Sequence, residues 1–307
     1  MFRFKREQSV VNLAGVRMGG QPGELASVLC GTIFYQGHKI VEDEERGLFD
    51  RAAAERLIAR QGELSEETGC PSVLHIYARS SEAFSRYLDF TEKAWSGPFI
   101  IDSADPATRM AAAALASEQG YADRAVYNSI SLATDEAEAR AIRDSELDSA
   151  IILAYNPTQP GVEGSLAVLE TGGAAREKGL LEAARDMGIK NQLIDPAVLP
   201  LGSGAGAALR FSVAAKARLG YPVGSGIHNA VSSWPWLAGK GAAAKRGCDA
   251  AAAAMQLLSA ADFLLYGPIE SAEIIFPAAA MADILIAEAV QDLEIAPSDA
   301  HPLHRLV

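Results

Sequence analysis

Cysteine is scarce in this 307-residue chain: Cys30, Cys70 and Cys248 stand far apart and never form a C-x-x-C pair. That argues against a disulfide framework and against a zinc site built on paired thiolates. Each cysteine reads as a small buried side chain rather than a ligand or nucleophile. Histidine is also scarce, with five residues and no H-x-x-x-H or H-E-x-x-H spacing, so no bound metal is expected. No apolar run reaches membrane-spanning length, because the longest, 250–265, is broken by Gln256, Ser259 and Asp262. Residues 1–6 are charged, but the apolar stretch of a secretion signal does not follow them. A positive balance is missing too. Lys+Arg total 27 against 39 Asp+Glu, a net charge of -12, which disfavours a phosphate-backbone partner. These absences predict a cytoplasmic protein with no nucleic-acid partner and no membrane insertion.

What is present is ordinary globular composition. With 49% hydrophobic and 21% charged residues, the chain has ample material for a core. Short apolar runs rich in β-branched residues alternate with helical patterns. Strands are expected at 28–34, 73–77, 99–102, 125–128, 150–155, 192–195, 223–227 and 263–266. Helices are expected at 50–67, 81–94, 106–118, 135–145, 174–187, 205–219, 242–259 and 271–290, with Asp50 and Ser81 as caps. The segment 156–173 reads as a long loop. The strands are continuously apolar, as burial on both faces of a parallel sheet requires. Eight strand–helix units predict a (β/α)8 TIM barrel, one domain over 1–307, with a doubly wound open sheet as the alternative. Ahead of it, 10–13 and 16–18, joined at Ala14-Gly15, read as a short N-terminal β-hairpin able to plug the barrel bottom.

In such a barrel the strand C-termini and the loops after them hold the site. The segment from Leu193 to Ala208 ends an apolar run in Asp195, braced by Pro196 and Pro200, and opens a glycine-rich loop. Asp102, Asn128 and Asn229 stand at three further strand ends. Any one of them could cap the following helix. Four together in an apolar barrel point to a ligand, since a carboxylate at a low-dielectric mouth needs a partner. The ring contains no Cys or His nucleophile. It suits a flat heterocycle rich in donors and acceptors, such as a pterin, whose N3–H and 2-amino group pair with a carboxylate.

Other features are weaker. Gly202, Ser203 and Gly204 could hold an anionic group at a helix start, although close backbone packing explains the glycines as well. The loop lacks the G-K-[ST] ending of a phosphate loop. His228 and Tyr35 stand near strand ends and Asn156 follows the fifth strand, as candidate supports of the site. His38 lies near the first strand end, whereas His75 falls inside a strand and reads as a hydrogen-bonded core residue. The acidic run 42–45 reads as a solvated loop. Trp234 and Trp236, flanking Pro235, read as packing under a loop, an aromatic wall or a docking anchor.

Several long motifs carry a family resemblance. They are Ala14-Gly-Val-Arg-Met-Gly-Gly-Gln-Pro-Gly-Glu24, the run from Gly31 to Asp43, Pro200-Leu-Gly-Ser-Gly-Ala-Gly206, the run from Gly220 to Ala230, and Leu265-Tyr-Gly-Pro-Ile-Glu270. Over nearly its whole length the chain resembles the H subunit of tetrahydromethanopterin S-methyltransferase, most like the bacterial stand-alone relatives of glycine betaine demethylation. The resemblance implies a pterin-binding barrel that moves a methyl group from a methylcorrinoid to N5 of tetrahydrofolate, giving cob(I)alamin. It implies pterin binding by Asp102, Asn128 and Asp195, and Asn229 near N5 as the catalytic group. The only D-x-H is Asp299-Ala-His301, without the glycine of a corrinoid-binding loop. Methylcobalamin is therefore expected on a separate corrinoid protein docking at the mouth. A homodimer is expected by analogy. The rival readings are a tetrahydromethanopterin-specific component of a multisubunit enzyme, a barrel enzyme acting on a phosphorylated small molecule, and a non-catalytic interaction component of a larger methyltransferase.

Overall fold

Eight parallel strands, at Val28–Ile33, Ser72–Tyr77, Phe99–Asp102, Ala125–Ile130, Ser149–Leu153, Asn191–Asp195, Gly224–Ser225 and Phe263–Pro268, form one sheet in the computed structural model, which describes residues 2–307. They are barrel strands one to eight below. Their order runs six-five-four-three-two-one-eight-seven. A parallel bridge between Ile194 and Val223 joins strands six and seven and closes the ring, so the (β/α)8 barrel is observed and the open sheet is not. Among the described residues no helix is long and apolar enough to cross a membrane.

The two faces of the strands explain the closure. Outward residues Leu74, Ile76, Ile101, Ile152 and Ile194 pack against helix residues such as Ile58, Phe84 and Ile142. Inward residues Val28, Cys30, Val73, Ile100, Val126, Ile151, Leu193, Phe263 and Leu265 fill the barrel. The hairpin Val10–Leu13 and Val16–Gly19 adds Val11, Leu13 and Met18 to this inner cluster and stops the lower end.

Helix starts follow local chemistry. The Asp50 side chain accepts the Ala53 N–H at 3.0 Å, opening Arg51–Thr68, which ends at left-handed Gly69. Asp105, not Asp102, caps Pro106–Glu118, which leaves Asp102 to the site. The cap of Ser81–Ala94 is Ser80, one residue before the expected Ser81.

Three expectations are corrected. The segment 156–173 is not a long loop: it contains the helix Val162–Thr171, and the helix expected at 174–187 is only Leu180–Asp186. Asn156 nucleates the turn before the new helix, its Oδ1 accepting from the Thr158 and Gln159 amides. The seventh strand shrinks to Gly224–Ser225, and Asn229 lies in the short helix His228–Ser232. The acidic run 42–45 is partly a hairpin, Val41–Asp43 pairing with Leu48–Phe49, and Glu44 and Glu45 both face Arg79.

Candidate active site

The inner face of the barrel changes character within one step of the strand period. Two residues beyond the apolar layer, the same inward phase carries Thr32, His75, Asp102, Asn128 and Asp195. These side chains line a cavity of about 800 Å³ at the C-terminal mouth, with Leu153 and Leu265 in the wall. That volume is in the range of small-molecule sites, which are few per protein. Gly267 continues the phase on strand eight, His228 and Asn229 come from the short helix after strand seven, and Tyr35 comes from the loop after strand one.

Asp195 is 8% exposed. Its Oδ1 accepts the Ala197 N–H at 2.8 Å. Burial pushes its carboxyl up to about 7, against the lowering effect of that bond and of nearby His75. A buried carboxyl near neutrality with little protein compensation is an acceptor awaiting a donor.

Asp102 is tied on one side only. His75 Nε2 lies 2.9 Å from its Oδ2, and Thr32 Oγ1 lies 3.1 Å from His75 Nδ1. A carboxylate only accepts, so Nε2 donates to Asp102, while Nδ1 faces the Thr32 hydroxyl, a group able to donate or to accept. His75, read from sequence as a core residue, is 5% exposed yet belongs to the cavity wall. Its flanking Leu74 and Ile76 disguised it. The available signal was its phase, since it follows Val73 by two as Asp102 follows Ile100.

His228 packs on bare backbone. A Cβ at Gly267, whose φ is +82°, would stand 2.5 Å from the imidazole. Burial, helped by the charge field of His75, pushes the His228 imidazole down to about 4, so it is neutral at physiological pH. Asn229 is exposed at the rim. Tyr35 donates to Glu270 Oε1 at 3.1 Å and stacks on buried His38, whose Nε2 lies 3.1 Å from the same oxygen.

Other candidates fall elsewhere. Gly202 and Ser203 are exposed, and neither they nor Gly204 line the cavity. Gly204 and Asn156 border a separate crevice of about 30 Å³, too small for a heterocycle. Cys30 and Cys70 are buried and Cys248 is half-buried, as small side chains. Among the described residues no cluster of His, Cys, Asp and Glu is arranged for a metal ion.

A closed parallel barrel with one polar, ligand-sized mouth defines the class, and solved structures share the fold. Dihydropteroate synthase of Yersinia pestis, in a sulfonamide complex, aligns with a TM-score of 0.63 at 13% identity, covering 93% of this chain and 100% of that one. The Burkholderia cenocepacia enzyme, complexed with 7,8-dihydropteroate, aligns with a TM-score of 0.59 at 18% identity, covering 95% and 100%. The family is narrower. Residues 6–298 match the tetrahydromethanopterin S-methyltransferase MtrH subunit, and the chain belongs to that methyltransferase family. The H subunit of tetrahydromethanopterin S-methyltransferase from Methanocaldococcus jannaschii is 49% identical over 319 residues, and that from Methanothermobacter thermautotrophicus is 47% identical over 310. A protein of Methanosarcina mazei, provisionally named as the H subunit of the methyltransferase mtx, is 50% identical over 310 residues. In all three, both chains are covered completely.

Proposed function

We propose that the mouth cavity binds a tetrahydropterin and that the protein moves a methyl group onto its N5 from a methylcorrinoid held by a separate protein, with tetrahydrofolate as acceptor. The observation carrying this reading is the inward set Asp102, Asn128 and Asp195 around one cavity above an apolar floor. A pterin supplies what these groups need. Its N3–H and 2-amino group form a donor pair for a carboxylate, and the Asn128 amide suits the mixed donor–acceptor edge. Asn229 is read as the group beside N5, where it steadies the nitrogen as its charge changes.

The chemistry balances without a protein nucleophile. The methyl–cobalt bond breaks with its electron pair left on cobalt, giving cob(I)alamin. The N5 lone pair forms the new bond to carbon, and the N5 proton leaves to solvent or a nearby base. Such an in-line displacement asks the protein for alignment and for electrostatic support. A homodimer belongs to the same reading by analogy. A second acceptor, tetrahydromethanopterin, is favoured by the names of the methanogen relatives. Both pterins present the same pyrimidinone edge to the acidic groups.

The test mixes purified protein, methylcobalamin and either pterin without oxygen, and follows the methyl-Co(III) to Co(I) absorbance change. Turnover with tetrahydrofolate is the expected result. Turnover with tetrahydromethanopterin alone replaces the acceptor, and absence of pterin binding in calorimetry overturns the reading.

A further inference from the structure

One stretch of the rim differs in charge from the rest of the molecule. The chain carries 39 acidic residues, yet none lies between Asp195 and Asp249, while Arg210, Lys216, Arg218, Lys240, Lys245 and Arg246 fall in that interval. Lys216 is buried against Asp262 and Arg218 pairs with Glu170, but Lys240, Lys245 and Arg246 are exposed. They sit beside bare apolar surface. Trp236 is 59% exposed and stacks on Trp234 with ring centroids 4.8 Å apart. Lys240 Nζ lies 4.4 Å over the Trp236 ring. The helix Ala242–Leu258 has no buried residue before Ala253, so its first turns, Ala242 to Gly247, are exposed. A helix serving only its own barrel would bury a stripe along its length.

Position links this surface to the site. Asn229 and Ser232 line the cavity, and Trp234 follows two residues later. Whatever covers the tryptophan pair therefore contacts the chain directly after the segment that lines the mouth. An exposed tryptophan stacked on a second one and covered by Lys240, with Lys245 and Arg246 a few residues on in the chain, has the composition of an interface anchor. On a protein of net charge -12, such a basic patch both attracts and orients an acidic partner.

We propose that the segment from Trp234 to Arg246 is the docking surface for an acidic face of the protein that delivers the methyl group. The proposal rests on the function given above for the cavity. Trp236 supplies the apolar anchor, Lys240, Lys245 and Arg246 supply the charge, and the exposed helix start supplies close backbone approach.

The test uses two methyl donors with the full-length protein: free methylcobalamin and a purified methylated corrinoid protein. The variants are Trp236→Ala and the double reversal Lys245→Glu with Arg246→Glu, both on exposed surface. With the protein donor, each variant should lose about tenfold or more in kcat/KM, and the double reversal should lose the salt dependence of the rate. With free methylcobalamin, turnover should stay within about twofold of the parent. Binding of the corrinoid protein, followed by surface plasmon resonance, should weaken in parallel. That readout survives even when no methyl transfer occurs, so failure of the acceptor reading and failure of the docking site are separable. Unchanged binding of the protein donor overturns the proposal, as does an equal loss with both donors. A fall in the protein's own sedimentation mass in either variant also overturns it, because a second copy of this chain is then the occupant.

Discussion

His75 Nε2 stands 2.9 Å from Asp102 Oδ2, and this bond leaves Asp102 one carboxylate oxygen for a ligand and fixes where that oxygen points. Hydrogen bonds to charged groups contribute about 1.5–3 kcal/mol. His75→Ala should therefore weaken tetrahydropterin binding by about tenfold or more, measured by calorimetry. His75→Gln, which can still donate to Asp102, should recover part of the loss. Equal affinity of the parent and the alanine variant would show that Asp102 is held by other means.

Asp195 makes ligand affinity depend on pH. Its carboxyl is raised to about 7 by burial. A ligand that donates two N–H groups prefers the ionised form, so the pKa falls on binding and a proton is released. Affinity should then be fully present above about pH 7 and decline by up to tenfold per unit as the pH drops below it. Calorimetry in buffers of different ionisation enthalpy measures the released proton. In Asp195→Asn both the proton release and the pH slope should vanish, and binding should be weak at every pH.

On the proposed reading, Asn229 should separate binding from transfer. It is exposed at the rim in the short helix His228–Ser232, beyond the inward ring proposed to hold the heterocycle. Asn229→Ala should lower kcat by about ten- to a hundredfold while changing pterin Kd by less than about threefold, the pattern of a group used mainly in the transition state. Single-turnover transfer measured beside equilibrium binding decides it, and an unchanged kcat sinks the role.

Stability depends on a buried pair away from the mouth. Lys216 Nζ lies 2.6 Å from Asp262 Oδ1 and 2.8 Å from the Gly20 carbonyl, and Asp262 Oδ2 accepts the Val223 N–H. One pair thus joins the segment after the hairpin to the strands that close the ring. Lys216→Met leaves a buried carboxylate without its cation, at a cost of about 3–5 kcal/mol. Denaturant unfolding should show that loss, and Lys216→Met with Asp262→Asn together should recover part of it.

The barrel and three of its acidic or amide groups were legible because each closes an apolar run, where chain direction alone assigns the residue to the mouth. Asp102, Asn128 and Asp195 all reach the cavity. His75 was not legible as a site residue, since apolar neighbours on both sides gave it the appearance of core. The helix Val162–Thr171 was hidden by its own sequence. It has no side-chain cap, begins after Gly161 with φ near +103°, and follows Asn156-Pro-Thr-Gln-Pro160, which signals a turn. The glycine-rich loop misled in the opposite direction. Its backbone freedom is real, with φ of +86° at Gly202 and +115° at Gly204, but it lies outside the cavity.

The hairpin that stops the lower end of the barrel bears on timing. With Val11, Leu13 and Met18 filling that end, the mouth is the way in for everything that enters. If the protein works as proposed, its two reactants share one doorway and cannot come and go independently. The one that reaches the floor would then arrive first, the one that covers it would leave first, and product would wait behind the departing donor. Steady-state kinetics should accordingly show a compulsory order with the pterin leading, and excess donor should slow the cycle by shutting the door on an empty room.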